Sequence, residues 1–169
     1  MVLVGPMGSG KSAVGRALAD RLARPFVDLD DAIVEAAGQS IPDVFEHDGE
    51  VGFRALETDV LRVGLAAAPS VIATGGGVVT IEANRSMLAD GRSLVVWLAA
   101  DLDTLVRRVG DGRGRPLLDG DVRTKLAATV SEREPLYAEV ADVRIDTTDA
   151  RRSVVVERVL AALAQEVPT

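Results

Sequence analysis

Gly5-Pro6-Met7-Gly8-Ser9-Gly10-Lys11-Ser12 is the stretch that most narrows what this chain can become. It fits the G-x-x-x-x-G-K-[ST] pattern of a phosphate-binding loop. Its context also fits, with the apolar run Met1-Val2-Leu3-Val4 before it and a helical pattern after it. Glycines let the backbone curl so that successive N–H groups point inward at phosphate oxygens. The following helix adds unpaired first-turn donors and the positive end of its dipole. Lys11 supplies a point charge to the β- and γ-phosphates, and the Ser12 hydroxyl can ligate Mg2+. The alternative, a glycine-rich turn before a helix, requires the whole octet to be coincidence. The octet therefore predicts a nucleoside triphosphate site built from Gly8, Ser9, Gly10, Lys11, Ser12 and Ala13.

Val14, Leu18 and Leu22 recur every four residues, predicting an amphipathic helix over about 11–23 that Pro25 stops. Phe26-Val27-Asp28-Leu29-Asp30 is expected as a short strand whose two acids leave from one side. A short helix over 31–37 should close at Gly38, and Ser40 should cap another start. A longer helix is expected over 49–67, with Phe53, Leu56, Val60 and Leu61 on its buried face. Residues 71–74 read as a buried strand running into Gly75-Gly76-Gly77, and 82–89 as a helix closed by Gly91. The run 94–98 is the most apolar and is expected at the centre of the sheet, followed by a helix over 101–109. Helices over 121–134 and 136–140 are divided by Pro135, a last strand covers 143–145, and Val155, Val159, Leu160 and Leu163 mark a closing helix.

Five short strands alternating with helices predict an α/β fold, a three-layer α/β/α sandwich on a five-stranded parallel sheet. No linker or repeat divides it, so one domain is expected over 1–169. A chain of 169 residues is large enough to bury about 70% of its unfolded surface. Ligands of such sheets sit beyond the carboxyl ends of the strands. The phosphate loop, Asp28 with Asp30, and Gly75 to Gly77 all converge at that end.

A net charge of −7 argues against nucleic acid as the main partner, though a small anion needs only a few local cations. There is no cysteine, hence no disulfide and no thiolate metal site. No apolar run approaches a membrane span, and residues 1–10 lack the basic start of a secretion signal. With the first strand starting at Met1, a cytoplasmic protein without a membrane partner is expected, and a monomer.

Four groups of residues carry candidate chemistry. Asp28 is placed to hold Mg2+, directly or through water, and Asp30 to accept the proton of an attacking hydroxyl. By themselves the pair would more often cap the next helix; their place at the ligand-binding edge favours function. Asp101, which follows the apolar run as a metal acid would, instead makes a helix start in Asp101-Leu102-Asp103-Thr104. Arg54 and Glu57 are three residues apart on a helix, in reach of one another, and sequence pattern does not separate a held guanidinium from a surface ion pair. Gly75 to Gly77 exceed the needs of a tight turn and are candidates to line a pocket. Arg113 and Arg115 lie in Gly110-Asp111-Gly112-Arg113-Gly114-Arg115-Pro116, a glycine-rich loop able to close over phosphates, or, for Arg113, simply a solvated one. His47, in a polar stretch, is given no role.

Taken together, Arg54-x-x-Glu57-x-x-x-Leu61, nine further residues, and Val71-Ile72-Ala73-Thr74-Gly75-Gly76-Gly77-Val78-Val79 resemble the signature of shikimate kinases. The phosphate loop, Asp28-Leu29-Asp30 and Phe53-Arg54 agree with it. Arg115-Pro116-Leu117-Leu118 and Arg133-Glu134-Pro135-Leu136-Tyr137 look like that family's lid and second arginine motif. The resemblance implies the P-loop fold of the nucleoside monophosphate kinases, with about 30–61 binding shikimate and 109–121 forming a lid. It implies transfer of the γ-phosphoryl group of ATP to the 3-hydroxyl of shikimate with Mg2+. Asp30 would bind the shikimate hydroxyls and act as base or orienter, while Arg54 and Arg133 clamp the carboxylate and Gly76 and Gly77 line the ring. Lys11 and Arg115 would hold transferring charge, Ser12 and Asp28 would serve Mg2+, and Arg108 would stack on adenine. Near the Asp146-Thr147-Thr148 turn, where the family often has an adenine-contacting arginine, Asp149 and Ala150 stand instead, with Arg151 just beyond as the candidate.

Two other readings remain from sequence. Another small-molecule kinase of the same fold, such as a gluconate kinase, leaves Arg54-Glu57 and the triple glycine unexplained. A non-catalytic nucleotide switch is disfavoured by the presence of Lys11, Asp30 and Arg115 and by the lack of an Asn-Lys-x-Asp motif. Arg115→Ala should lower kcat about 10³-fold, the low end for a charge-stabilising arginine. Steady-state kinetics at saturating substrates check this, and an unchanged kcat removes Arg115 from the reaction.

Overall fold

The computed structural model describes residues 1–67, 69–110 and 121–166. Five strands, β1 (Val2–Val4), β2 (Phe26–Asp28), β3 (Val71–Ala73), β4 (Val95–Ala99) and β5 (Val143–Asp146), form one sheet in the order β2-β3-β1-β4-β5. All four pairings are parallel, with Leu3 opposite both Ala73 and Val96. The middle place falls to β1, whose three residues are fully buried. The apolar run of β4 is interior but not the middle strand, a correction to its expected place. Burial on both faces makes these runs continuously apolar, so apolarity alone does not rank interior strands.

Period-two alternation assigns each strand residue to a layer. Val2, Val4, Ile72, Val95 and Trp97 face a core shared with Leu61 of α3 (Ile41–Ala66), Leu88 of α4 (Glu82–Leu88) and Tyr137 and Val140 of α6 (Val122–Val140). Leu3, Val71, Val96 and Leu98 face the opposite core, closed by Val14 and Leu18 of α1 (Lys11–Leu22) and Val155, Val156 and Val159 of α7 (Arg152–Glu166). The expected three-layer α/β/α sandwich results. A smaller cluster of Ile33, Val44 and Phe53 joins α2 (Leu29–Ala37) to α3 at one end of the sheet. α5 (Leu102–Val109) packs Leu105 and Val109 against Leu126 of α6. No helix among the described residues is long and apolar enough to cross a membrane.

At three places the elements depart from the sequence reading by more than one residue, each for a physical reason. β2 stops at Asp28, and Asp30 belongs to the first turn of α2, so the two acids do not share one side of a strand. The Asp28 carboxylate accepts from the Asp30 N–H and caps the helix two residues earlier than expected. In α3 the expected starts at Ser40 and Gly49 merge into one long element. Ser40 and Asp43 form a reciprocal capping box, and Gly49, at φ 66°, marks a break between two helical segments. Pro135 does not end a helix. It sits inside α6 on an exposed position, where solvent can serve the carbonyl its missing N–H leaves unpaired.

Candidate active site

The phosphate loop links the end of β1 to α1. Gly10, at φ 95°, caps α1 without any side-chain acceptor. By contrast α2, α3, α5 and α6 each close their first turn with a side chain: Asp28, Ser40, Asp101 and Asp121. Asp101 is thus a cap, as expected. The first-turn donors of α1 are left for an anion. Lys11 is nearly buried, its Nζ donating to the carbonyls of Gly5 at 2.8 Å and Pro6 at 2.9 Å. On the other side of the loop Arg108 donates to the Thr147 carbonyl at 2.7 Å and its hydroxyl at 3.0 Å, and the Thr147 hydroxyl donates to the Ser9 carbonyl at 3.3 Å. α5, the turn after β5 and the phosphate loop are therefore tied together.

Beside the loop lies a second half built from α3, α6 and the glycine run. Arg54 and Glu57, whose relation sequence left open, are both buried, and Arg54 Nη1 donates to Glu57 Oε2 at 2.7 Å. Arg54 also meets Glu50 at 3.3 Å and lies 5.2 Å from the Phe53 ring centroid. Burial pushes the Glu57 carboxyl above its ordinary value, while the Arg54 guanidinium pulls the other way. Asp30 and Arg133 act on the same carboxylate, so all four groups sit around one point.

Gly75, Gly76 and Gly77 are where the two halves meet. A Cβ at Gly75 would lie 2.8 Å from Glu57 Oε1 and 3.2 Å from Asp30 Oδ1. At Gly76 it would crowd the Met7 backbone N at 3.3 Å, and at Gly77 it would collide with the Arg54 guanidinium. The run is thus a close-packed joint between carboxylates, phosphate loop and arginine. The Tyr137 hydroxyl donates to the Gly76 carbonyl at 2.5 Å.

A cavity of about 560 Å³ opens over this joint. Of the residues singled out in sequence, Gly8, Gly10, Lys11, Ser12, Ala13, Asp30, Arg54, Gly76, Gly77, Arg108 and Arg133 line it. Ser9 is buried behind the loop rather than in the cavity wall. Asp28 and Arg151 do not reach the lining: Asp28 caps α2, and the exposed Arg151 precedes α7. Arg113 and Arg115, with most of the expected lid, lie outside the described residues. Sequence reasoning gave no role to Tyr137, Phe45 or Ile41, which complete the wall. The available signal was Tyr137, one helical turn beyond Arg133 on the same face.

No cluster of three His, Cys, Asp or Glu suited to a metal occurs among the described residues. Mg2+ does not need one, since it is bound by one or two protein oxygens together with substrate phosphates. The Ser12 hydroxyl, in the cavity beside Lys11, has the hard-oxygen chemistry required.

A family model described as shikimate kinase matches residues 7–164. The chain is 47% identical over 165 residues to a shikimate kinase of Ruegeria pomeroyi, covering 97% of this chain and 84% of that relative. It is similar in structure to the shikimate kinase of Acinetobacter baumannii in complex with shikimate. The TM-score there is 0.92 at 40% identity, over 99% of this chain and 94% of that one. The shikimate kinase of Aquifex aeolicus gives 0.84 at 32% identity, over 96% and 95% of the two chains.

Glu57→Leu leaves the Arg54 guanidinium buried with, among the described residues, the exposed Glu50 at 3.3 Å as its remaining ion-pair partner. It should cost about 3–5 kcal/mol in urea unfolding. Arg54→Leu/Glu57→Leu together should cost less than the two single changes summed, because neither charge is then stranded.

Proposed function

The chain belongs to the shikimate kinase family, and from that premise we propose that it transfers the γ-phosphoryl group of ATP to the 3-hydroxyl of shikimate, giving shikimate 3-phosphate and ADP. The observation that carries this reading is the convergence of Asp30, Arg54 and Arg133 on the cavity that also holds Lys11. The triphosphate is read into the loop, against the open first turn of α1 and the Lys11 ammonium. Arg108 is read against the adenine, supported by its place in the lining and its hold on Thr147.

On the acceptor side, Arg54 and Arg133 present planar forks suited to a carboxylate. Glu57 fixes the first of these forks. Asp30 then faces the ring hydroxyls and takes the 3-hydroxyl proton as that oxygen bonds to the γ-phosphorus and the bond to the bridging oxygen of ADP breaks. Ser12, with Asp28 through water, would hold Mg2+, and bound Mg2+ would neutralise charge on the β- and γ-oxygens. The segment 30–61 is assigned to acceptor binding, supported by Asp30, Phe53, Arg54 and Glu57 in the cavity wall. The gluconate-kinase alternative is not favoured, since it gives no reason for a buried Arg54–Glu57 pair seated against Gly77.

ADP release should depend on shikimate when shikimate, gluconate and nucleoside monophosphates compete as acceptors; gluconate-dependent release instead would overturn the assignment. Asp30→Asn should abolish turnover while ATP still binds, as titration calorimetry would show. Arg54→Lys should raise the shikimate Kd at least tenfold, because one bidentate fork becomes a point charge (about 1.4 kcal/mol or more). Equal Kd values for the two proteins would remove Arg54 from the carboxylate clamp.

A further inference from the structure

Tyr137 is buried at 1% exposure, with its ring 5.9 Å from that of Trp97 and its hydroxyl on the Gly76 carbonyl. It lies one turn beyond Arg133 on α6, and the Arg133 guanidinium is close enough to act on the same hydroxyl. On the other side of Gly76 lies the phosphate loop, where an added Cβ would come within 3.3 Å of the Met7 N and 3.6 Å of the Gly5 carbonyl oxygen. The peptide joining Gly76 to Gly77 is trans, so its C=O and N–H point in opposite directions. With the carbonyl turned to Tyr137, the Gly77 N–H is turned away from it. The neighbouring carbonyls of Gly75 and Gly77 accept from Val78 and Thr80 within the 3-10 turn Val78–Thr80. The Gly77 N–H itself has no hydrogen-bond acceptor among the described residues. Gly77 lines the cavity, against the Arg54 guanidinium.

We propose that Tyr137 is a positioning residue for the acceptor substrate: its hydroxyl fixes the Gly76–Gly77 peptide so that the Gly77 N–H is presented to the cavity beside Arg54 and Arg133. The inference rests on the acceptor reading above and adds a role for a side chain of the cavity wall that this reading left without one. A single peptide then serves as a hinge-free link between α6 and the phosphate loop. Rotating it would remove one donor from the acceptor pocket and leave the phosphate loop as it is. Burial keeps the phenol protonated well above the working range, so it remains a donor.

The test is steady-state kinetics of Tyr137→Phe, which keeps the ring against Trp97 and deletes only the hydroxyl. Shikimate KM should rise about tenfold, the scale of one well-placed hydrogen bond, while kcat at saturating shikimate stays within about threefold and ATP KM within about twofold. Val140→Ala, in the same core one turn on, serves as a control that loosens α6 without touching the hydroxyl. It should lower Tm at least as much as Tyr137→Phe and leave shikimate KM near wild type. An unchanged shikimate KM in Tyr137→Phe overturns the proposal, as does a parallel rise in ATP KM or an equal rise in Val140→Ala. Wild-type protein that releases no ADP with shikimate would instead overturn the acceptor reading on which it stands.

Discussion

Three successive Cα atoms with no room for a side chain hold the two halves of the cavity at a fixed separation. Gly75 abuts the carboxylates of Glu57 and Asp30, Gly76 the backbone of the phosphate loop, and Gly77 the Arg54 guanidinium. The run reaches this position because β3 lies beside β1 in parallel register, and Thr74 fastens the join with backbone and hydroxyl bonds to the Leu3 carbonyl. Phosphoryl transfer is chiefly a problem of placing donor and acceptor in line. With no side chain on the run, the buried Arg54–Glu57 pair and the phosphate loop come close to its backbone.

Charge in the cavity runs against charge in the chain. The protein carries −7 overall, yet among the described residues four cationic and two acidic side chains line the cavity. Buried guanidinium groups are costly unless paired. Arg54 is compensated by Glu57 and partly by Glu50, which holds its fork in one orientation. Among the described residues, the Nε atoms of Arg54 and Arg133 are buried without a hydrogen-bond partner. The cationic surplus of the lining suits an anionic ligand better than a neutral one.

Much of this was legible in sequence, and the parts that were not share a cause. The phosphate loop, the glycine run and the parallel sheet follow from local patterns: residue type at fixed spacing, and strand alternating with helix. Strand order did not follow, since every interior strand is apolar along its whole length. The Arg54–Glu57 pair was visible as a spacing but not as buried or exposed, because that depends on what covers the helix from elsewhere in the chain. Here the glycine run after β3 lies against both side chains, Gly75 beside Glu57 and Gly77 beside Arg54. Tyr137 escaped for the same reason: its partner is 61 residues away in sequence. Pro135 misled because helix propensity is a local rule, and α6 is held by tertiary packing of Leu126, Tyr137 and Val140 on its buried face.

The misplaced end of β2 changes how Asp28-Leu29-Asp30 works as a unit. Read as strand, the two acids are parallel and independent. In the fold, the Asp28 carboxylate accepts from the Asp30 backbone N–H, so the first acid orients the second. Asp30 then stands in the first turn of α2. Capping thereby sets where Asp30 meets the cavity wall. The two-residue spacing thus reflects the geometry of a helix cap, in which the capping side chain reaches the N–H two residues on. Side-by-side projection from a strand does not account for it.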